Sequence, residues 1–140
     1  MIRQKGLELS NFINNINGCY IQSTNEDKQH MFKTRGEVVW SNRGKQQWGG
    51  IHFGENVLKI RIDYPKGKFD LDFFKENLDL PEINYEDYGV SGVRKVITTK
   101  NPPFDSIDVI LYPNKLKEYV LLTSKCKDVL QEIVSASCRY

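Results

Sequence analysis

The chain has 140 residues, 39% of them hydrophobic, 27% charged and 11% aromatic, and its 20 basic and 18 acidic side chains leave a net charge of +2. This composition predicts one globular domain over residues 1–140 and argues against disorder, because so many aromatic side chains supply buriable surface. The sequence has no run of about 18 apolar residues, and its first residues lack the apolar stretch of a secretory signal, so we expect a cytoplasmic protein without a membrane partner.

The amino-terminal part of the sequence predicts one helix and then two strands. Apolar residues recur at helical spacing from Leu9 to Ile16, and Gly18 follows as a typical helix stop. The segments 37–40 and 48–54 contain β-forming residues and flank a glycine-containing turn. We therefore expect these two segments to form neighbouring strands.

The next element shows the clearest strand pattern in the chain. Leu58, Ile60 and Ile62 alternate with two cationic residues, Lys59 and Arg61. Because successive side chains of a strand point to opposite faces, one face is apolar and the other is cationic. We expect the apolar face to enter the core and the cationic face to point away from it.

A short acidic helix follows, which either Asp70 or Asp72 could cap and which ends near Leu78. Residues 82–92 are polar and rich in turn-forming residues, and they are expected to form a loop. This region therefore adds one helix and no strand to the predicted order.

The carboxyl-terminal part predicts more strands and a final helix. The segments 93–98, 107–112 and 118–123 are β-prone, the last two being joined by a proline-containing turn, although 118–123 could be helical instead. Apolar residues at helical spacing over 126–137 predict the final helix, with a hydroxyl residue at its start as a cap. The order predicts an α+β fold: a mostly antiparallel sheet of about five strands, with the N- and C-terminal helices on one face.

The near-zero net charge hides an uneven distribution. Residues 28–68 carry nine basic and three acidic side chains, whereas residues 69–90 carry seven acidic side chains and one lysine. The local field of such segments guides charged partners more than the total charge does.

The cysteines and histidines indicate neither a disulfide framework nor a metal centre. Cys19, Cys126 and Cys138 are odd in number and far apart, and only His30 and His52 could add nitrogen ligands. We therefore expect no metal and no other cofactor.

The cationic face of the predicted sheet is the first candidate site. Basic side chains interleaved with aromatic ones suit nucleic acid, because phosphates need cations and unstacked bases need flat apolar surfaces. The candidate contacts are Arg43, Lys45, Trp48, His52, Lys59 and Arg61, with Trp40 as a further aromatic residue. They predict a non-enzymatic module that binds nucleic acid or a nucleic-acid-processing protein. In the competing interpretation both tryptophans lie in the core and the cations are solvated and paired with the acidic segment.

Two alternatives remain open. His52 could act as the acid or base of a metal-free ribonuclease, with Glu37 and Arg43 as its partners and further cations to stabilise the phosphorane-like charge. Alternatively, an inhibitor or immunity-type protein could dock on a basic partner through the acidic segment, although such residues more often form the solvated side of a helix. The acidic candidates are Asp70, Asp72, Glu76, Asp79, Glu82, Glu86 and Asp87. The spacing of Glu26-Asp27-Lys28 matches a metal-dependent nuclease, but its polar surroundings argue against that site.

Four stretches also carry a family resemblance. They are Val38-Val39-Trp40-Ser41-Asn42-Arg43-Gly44, Trp48-Gly49-Gly50-Ile51-His52-Phe53, Leu58-Lys59-Ile60-Arg61-Ile62 and Asp87-Tyr88-Gly89-Val90-Ser91-Gly92. Together with the C-terminal helix they resemble a family of small bacterial α+β domains described as predicted transport proteins, and similar domains occur beside restriction-type nuclease modules. The chain departs from this family by an insertion over residues 65–86 and by Pro102-Pro103. The resemblance implies an accessory or binding role and transfers no catalytic residue.

Overall fold

The computed structural model describes residues 2–24, 28–113 and 123–139. Within these ranges the chain forms an α+β fold, as its sequence predicts. The order along the chain is α1 (Ile2–Asn14), β1 (Cys19–Thr24), β2 (Gln29–Thr34), β3 (Glu37–Val38), β4 (Gln47–Gly54), β5 (Val57–Pro65), α2 (Leu71–Leu78), β6 (Gly92–Lys95), β7 (Phe104–Leu111), α3 (Ser124–Ser137) and β8 (Cys138–Arg139).

Six strands form the main sheet in the order β1-β2-β4-β5-β7-β6, and every neighbouring pair is antiparallel. This is one strand more than expected, and β1 and β2 are the strands that the sequence pattern does not reveal. The core-facing positions of β2 are His30, Phe32 and Thr34, all of them buried. Since two of the three are polar, β2 shows no apolar alternation that would mark it as a strand.

The helices pack on one face of this sheet, as predicted for the two terminal ones. Ile60 and Ile62 of β5 meet Leu9 of α1, Leu78 of α2 and Leu130 of α3 around a small internal space. All five side chains are at most 4% exposed. The apolar face of β5 thus lies in the core, and its cationic face points to the opposite side.

The helix ends follow the predicted capping rules. Asp70 caps α2, where its side chain accepts a hydrogen bond of 2.9 Å from the Phe73 amide. Thr123 caps α3 in the same way and accepts from the Cys126 amide at 3.1 Å. These contacts satisfy amides that have no partner within their own helix.

The predicted pairing of the segments 37–40 and 48–54 is wrong. The first segment contributes only β3, which pairs with β8 in a separate two-stranded sheet, and β4 lies between β2 and β5. An ion pair of 2.9 Å between Glu37 and Arg139 reinforces the small sheet. Both partners of this long-range pairing are short segments, so no local pattern reveals it.

Two sequence-based predictions fall outside the described residues. The strand predicted over 118–123 lies there except for Thr123, and so does most of the turn before it. Glu26 and Asp27 of the weighed nuclease motif also lie there.

Candidate functional site

The face of the main sheet opposite the helices carries the cationic residues of β5. Lys59 and Arg61 project from this face with side chains 47% and 49% exposed. His52 of β4 lies directly across from Lys59 in the strand register and is also exposed. The sequence-based placement of these three side chains on one sheet face is therefore correct.

Three adjoining cavities lie along this face. Their volumes are about 650, 450 and 370 Å³. Arg61 lines both the first and the second cavity, Ile97 lines the second and the third, and Phe104 lines the first and the third. We call the three cavities together the cationic trough.

Among the described residues, basic side chains outnumber carboxylates along the cationic trough. Its cations are Lys33, Lys45, Lys59, Arg61, Lys66, Lys95 and Lys100. Its carboxylates are Asp63, Asp105 and Asp108. Four of the seven cations, at positions 33, 66, 95 and 100, were not singled out from the sequence because they lie on separate segments that only the fold brings together. The trough therefore carries an excess of positive charge.

Two buried aspartates hold the central cations in place. Asp108 lies 3.7 Å from Lys59 and 3.5 Å from Arg94, and Asp63 lies 3.1 Å from Arg61. This contradicts the interpretation in which these cations pair with the acidic segment. Both aspartates lie on the same sheet face as the cations. Because alternate residues of a strand share a face, strand periodicity could have identified the two aspartates from the sequence.

Arg61 belongs to a hydrogen-bonded cluster. Its Nε donates to Asp63 Oδ1 at 3.1 Å, and its Nη2 donates to Ser106 Oγ at 3.3 Å. The Ser106 hydroxyl in turn donates to Asp63 Oδ1. The guanidinium is thus held by two partners and keeps further N–H donors for a ligand.

Trp48 is not on this face, which corrects its assignment as a candidate contact. Its side chain is 0% exposed and packs on Phe32, with ring centroids 5.1 Å apart. The cause is a bulge in β4: Phe32 pairs with Gly49 and Lys33 with Gln47, so Trp48 is the extra residue. The bulge turns this side chain into the core, against the strand alternation expected from the sequence.

The other candidates for the nucleic-acid contact divide into two groups. Lys45 and Trp40 line the first cavity, where Trp40 is half-buried and packs on Phe104 with ring centroids 5.2 Å apart. Arg43 is exposed in the turn between β3 and β4 and is not among the residues that line the trough. Trp40 is therefore the tryptophan that contributes to the trough.

The residues proposed for a ribonuclease lie on different elements of the chain. The Glu37 carboxylate pairs with Arg139 and accepts from the Gly44 amide at 3.2 Å, beyond the start of β4. His52 lies on β4, directly across from Lys59, and among the described residues no hydrogen bond or ion pair joins it to Glu37. The arrangement of these two residues therefore gives the ribonuclease alternative no support.

The acidic segment lies on α2 and the following loop, and much of it makes local contacts. Asp70 caps α2, Asp72 and Glu82 both pair with Lys75, and Asp87 accepts from the amide of the nearby Asn84. The other candidates, Glu76, Asp79 and Glu86, are exposed. At least four of the seven carboxylates thus make local contacts within the described part of the chain.

Comparison of the chain with protein-family models, with curated proteins and with solved structures gives no match. The resemblance to predicted transport proteins therefore stays a prediction. None of the helices in the described ranges combines the length and apolar character needed to cross a bilayer. In the same ranges, no three His, Cys, Asp or Glu side chains come together in a way that could hold a metal ion.

Proposed function

We propose that this protein binds nucleic acid in the cationic trough. Seven cations and only three carboxylates line the trough, on a sheet face on which no described helix packs. This excess of positive charge is the observation that carries the proposal. Phosphate groups repeat along a nucleic acid, so an extended row of cations fits such a ligand better than it fits a single small anion. Aromatic side chains beside the cations supply surfaces on which bases stack.

The buried aspartates are compatible with this function. Asp63 and Asp108 each contact a cation, and Asp63 also fixes the direction of the Arg61 guanidinium. A long side chain that is held in place loses less entropy when a phosphate binds it. The exposed cations at the rim, such as Lys45 and Lys100, then supply the long-range attraction.

A salt titration of binding to labelled oligonucleotides tests the proposal. Neutralising about four phosphates predicts an affinity loss on the order of 50-fold between about 50 and 200 mM salt. The double variant Lys45→Glu/Lys100→Glu reverses two exposed charges on the trough and should weaken binding at least about tenfold. The control is Lys125→Glu, which reverses one exposed charge on α3, an element packed on the other face of the sheet, and its match is the single variant Lys45→Glu.

Two results would contradict the proposal. One is the absence of binding to both RNA and DNA at low salt. The other is an equal loss of affinity in the trough variant and in the Lys125 control, because binding would then depend on overall charge rather than on this surface.

A further inference from the structure

Tyr85 is an exposed aromatic side chain that the fold holds rigidly. Its hydroxyl donates to the Lys95 carbonyl at 3.0 Å and accepts from the Ile97 amide at 2.8 Å. The Arg94 guanidinium lies 4.1 Å from the ring centroid, within cation–π range. In spite of these contacts Tyr85 is 44% exposed, and it lines the second cavity of the trough.

A second exposed apolar side chain lies in the same cavity as Tyr85. Ile97, which lines the same cavity, is 76% exposed. Arg94 is itself held, because Asp108 lies 3.5 Å from its Nε. A large apolar side chain gains little folding energy at such exposure, so this rigid arrangement is not explained by packing of the core.

Trp40 provides a second aromatic surface, in the first cavity. It is half-buried against Phe104, and both rings line that cavity. The two cavities share Arg61, whose guanidinium Asp63 and Ser106 hold in place. An anchored cation thus lies on the boundary between a cavity with a tryptophan and a cavity with a tyrosine.

We infer that the trough takes single-stranded nucleic acid, with one base against Trp40, another against Tyr85 and an intervening phosphate at Arg61. This inference rests on the proposed function and adds its substrate class. In a duplex the base faces stack on one another, so aromatic side chains gain contact area only from unpaired bases. The two cavities are open clefts of about 650 and 450 Å³, a size that suits individual nucleotides.

The test compares three labelled probes at one low salt concentration: an oligothymidylate and an oligouridylate of about 12 nucleotides each, and a blunt DNA duplex of equal length. Both single strands should bind more tightly than the duplex. Tyr85→Leu and Trp40→Leu keep an apolar side chain but remove the flat ring, and each should weaken single-strand binding about 5- to 150-fold. Tyr85→Phe keeps the ring but loses both hydroxyl hydrogen bonds, so it should bind more tightly than Tyr85→Leu.

The variant Trp48→Phe gives a direct readout of the contact, because it leaves Trp40 as the only tryptophan in the chain. Titration with the oligothymidylate should quench the fluorescence of Trp40, and the duplex should quench it much less. Thermal unfolding of every variant shows whether it is folded at the assay temperature. If Trp40→Leu does not fold, the Tyr85 pair of variants and the quenching experiment decide the question.

Equal affinity for duplex and single strand, with no effect of Tyr85→Leu and no quenching, would overturn this inference. If that binding still fell with salt and with the Lys45→Glu/Lys100→Glu variant, the proposed function would stand and only the substrate class would be wrong. If no probe bound at low salt, both would fail.

Discussion

Ser106 is a small side chain that helps to fix Arg61 in the proposed binding surface. It is buried beneath the trough and connects the Arg61 guanidinium to the Asp63 carboxylate. Removal of the Ser106 hydroxyl should change the orientation of Arg61. Because the hydroxyl is neutral, the charge of the trough stays the same. A phosphate contact that depends on a fixed guanidinium should therefore respond to this residue.

We expect Ser106→Ala to weaken oligonucleotide binding about two- to tenfold, which corresponds to one hydrogen bond. The dependence of affinity on salt concentration should stay the same, because the number of cations is unchanged. Ser106→Thr restores the hydroxyl on a strand residue and should recover the affinity. Fluorescence anisotropy at several salt concentrations measures both quantities, and a changed salt dependence in the alanine variant would contradict the positioning role.

At the scale of single elements, α2 depends on its cap because the helix is only eight residues long. The Asp70 side chain accepts from the Phe73 amide, and Phe74 and Leu78 are the buried residues of the helix. Asp70→Ala should lower the free energy of unfolding by about 1 kcal/mol, whereas Asp70→Asn should keep most of it, since asparagine caps equally well. Urea unfolding of the two variants gives the comparison, and equal stability would show that the cap contributes nothing.

Elements with a strong local pattern were predictable from the sequence, and those that depend on distant partners were not. The alternation in β5 placed Lys59 and Arg61 correctly because one of its faces is uniformly apolar. Trp48 was misplaced because a bulge interrupts the alternation of β4. Tyr85 belongs to a segment whose polarity correctly predicted a loop, but its rigidity comes from the backbone of residues 95–97, which no sequence pattern links to it.

At the scale of the whole molecule, the buried cysteines make stability depend on pH in the alkaline range. Burial raises the pKa of the Cys126 and Cys138 thiols from 9.0 to about 12, and it raises the pKa of Cys19 as well. The folded chain therefore retains protons that the unfolded chain releases above pH 9. The stabilisation is fully present below that pH and is lost as the pH rises towards 12, by up to about 1.4 kcal/mol per pH unit for each thiol.

This dependence can be isolated by comparing the protein with its Cys126→Ala/Cys138→Ala variant. Between about pH 8 and pH 10, the free energy of unfolding of the protein should fall by about 2–3 kcal/mol more than that of the variant. The packing cost of the two alanines is the same at both pH values and cancels in the comparison. The free energy of unfolding is measured by urea unfolding at both pH values. If it falls equally in the protein and in the variant, the thiols do not govern alkaline stability.

The small sheet of β3 and β8 joins distant parts of the chain next to the trough, so we expect this side of the trough to form late in folding. Glu37 and Arg139 are 102 positions apart, and Arg139 also donates to the Ser41 carbonyl at 2.8 Å, next to Trp40. Contacts of such long sequence separation form slowly, and during synthesis they must wait for the distal segment to leave the ribosome. The Trp40 side of the trough is consequently completed only after α3 and β8 have been made.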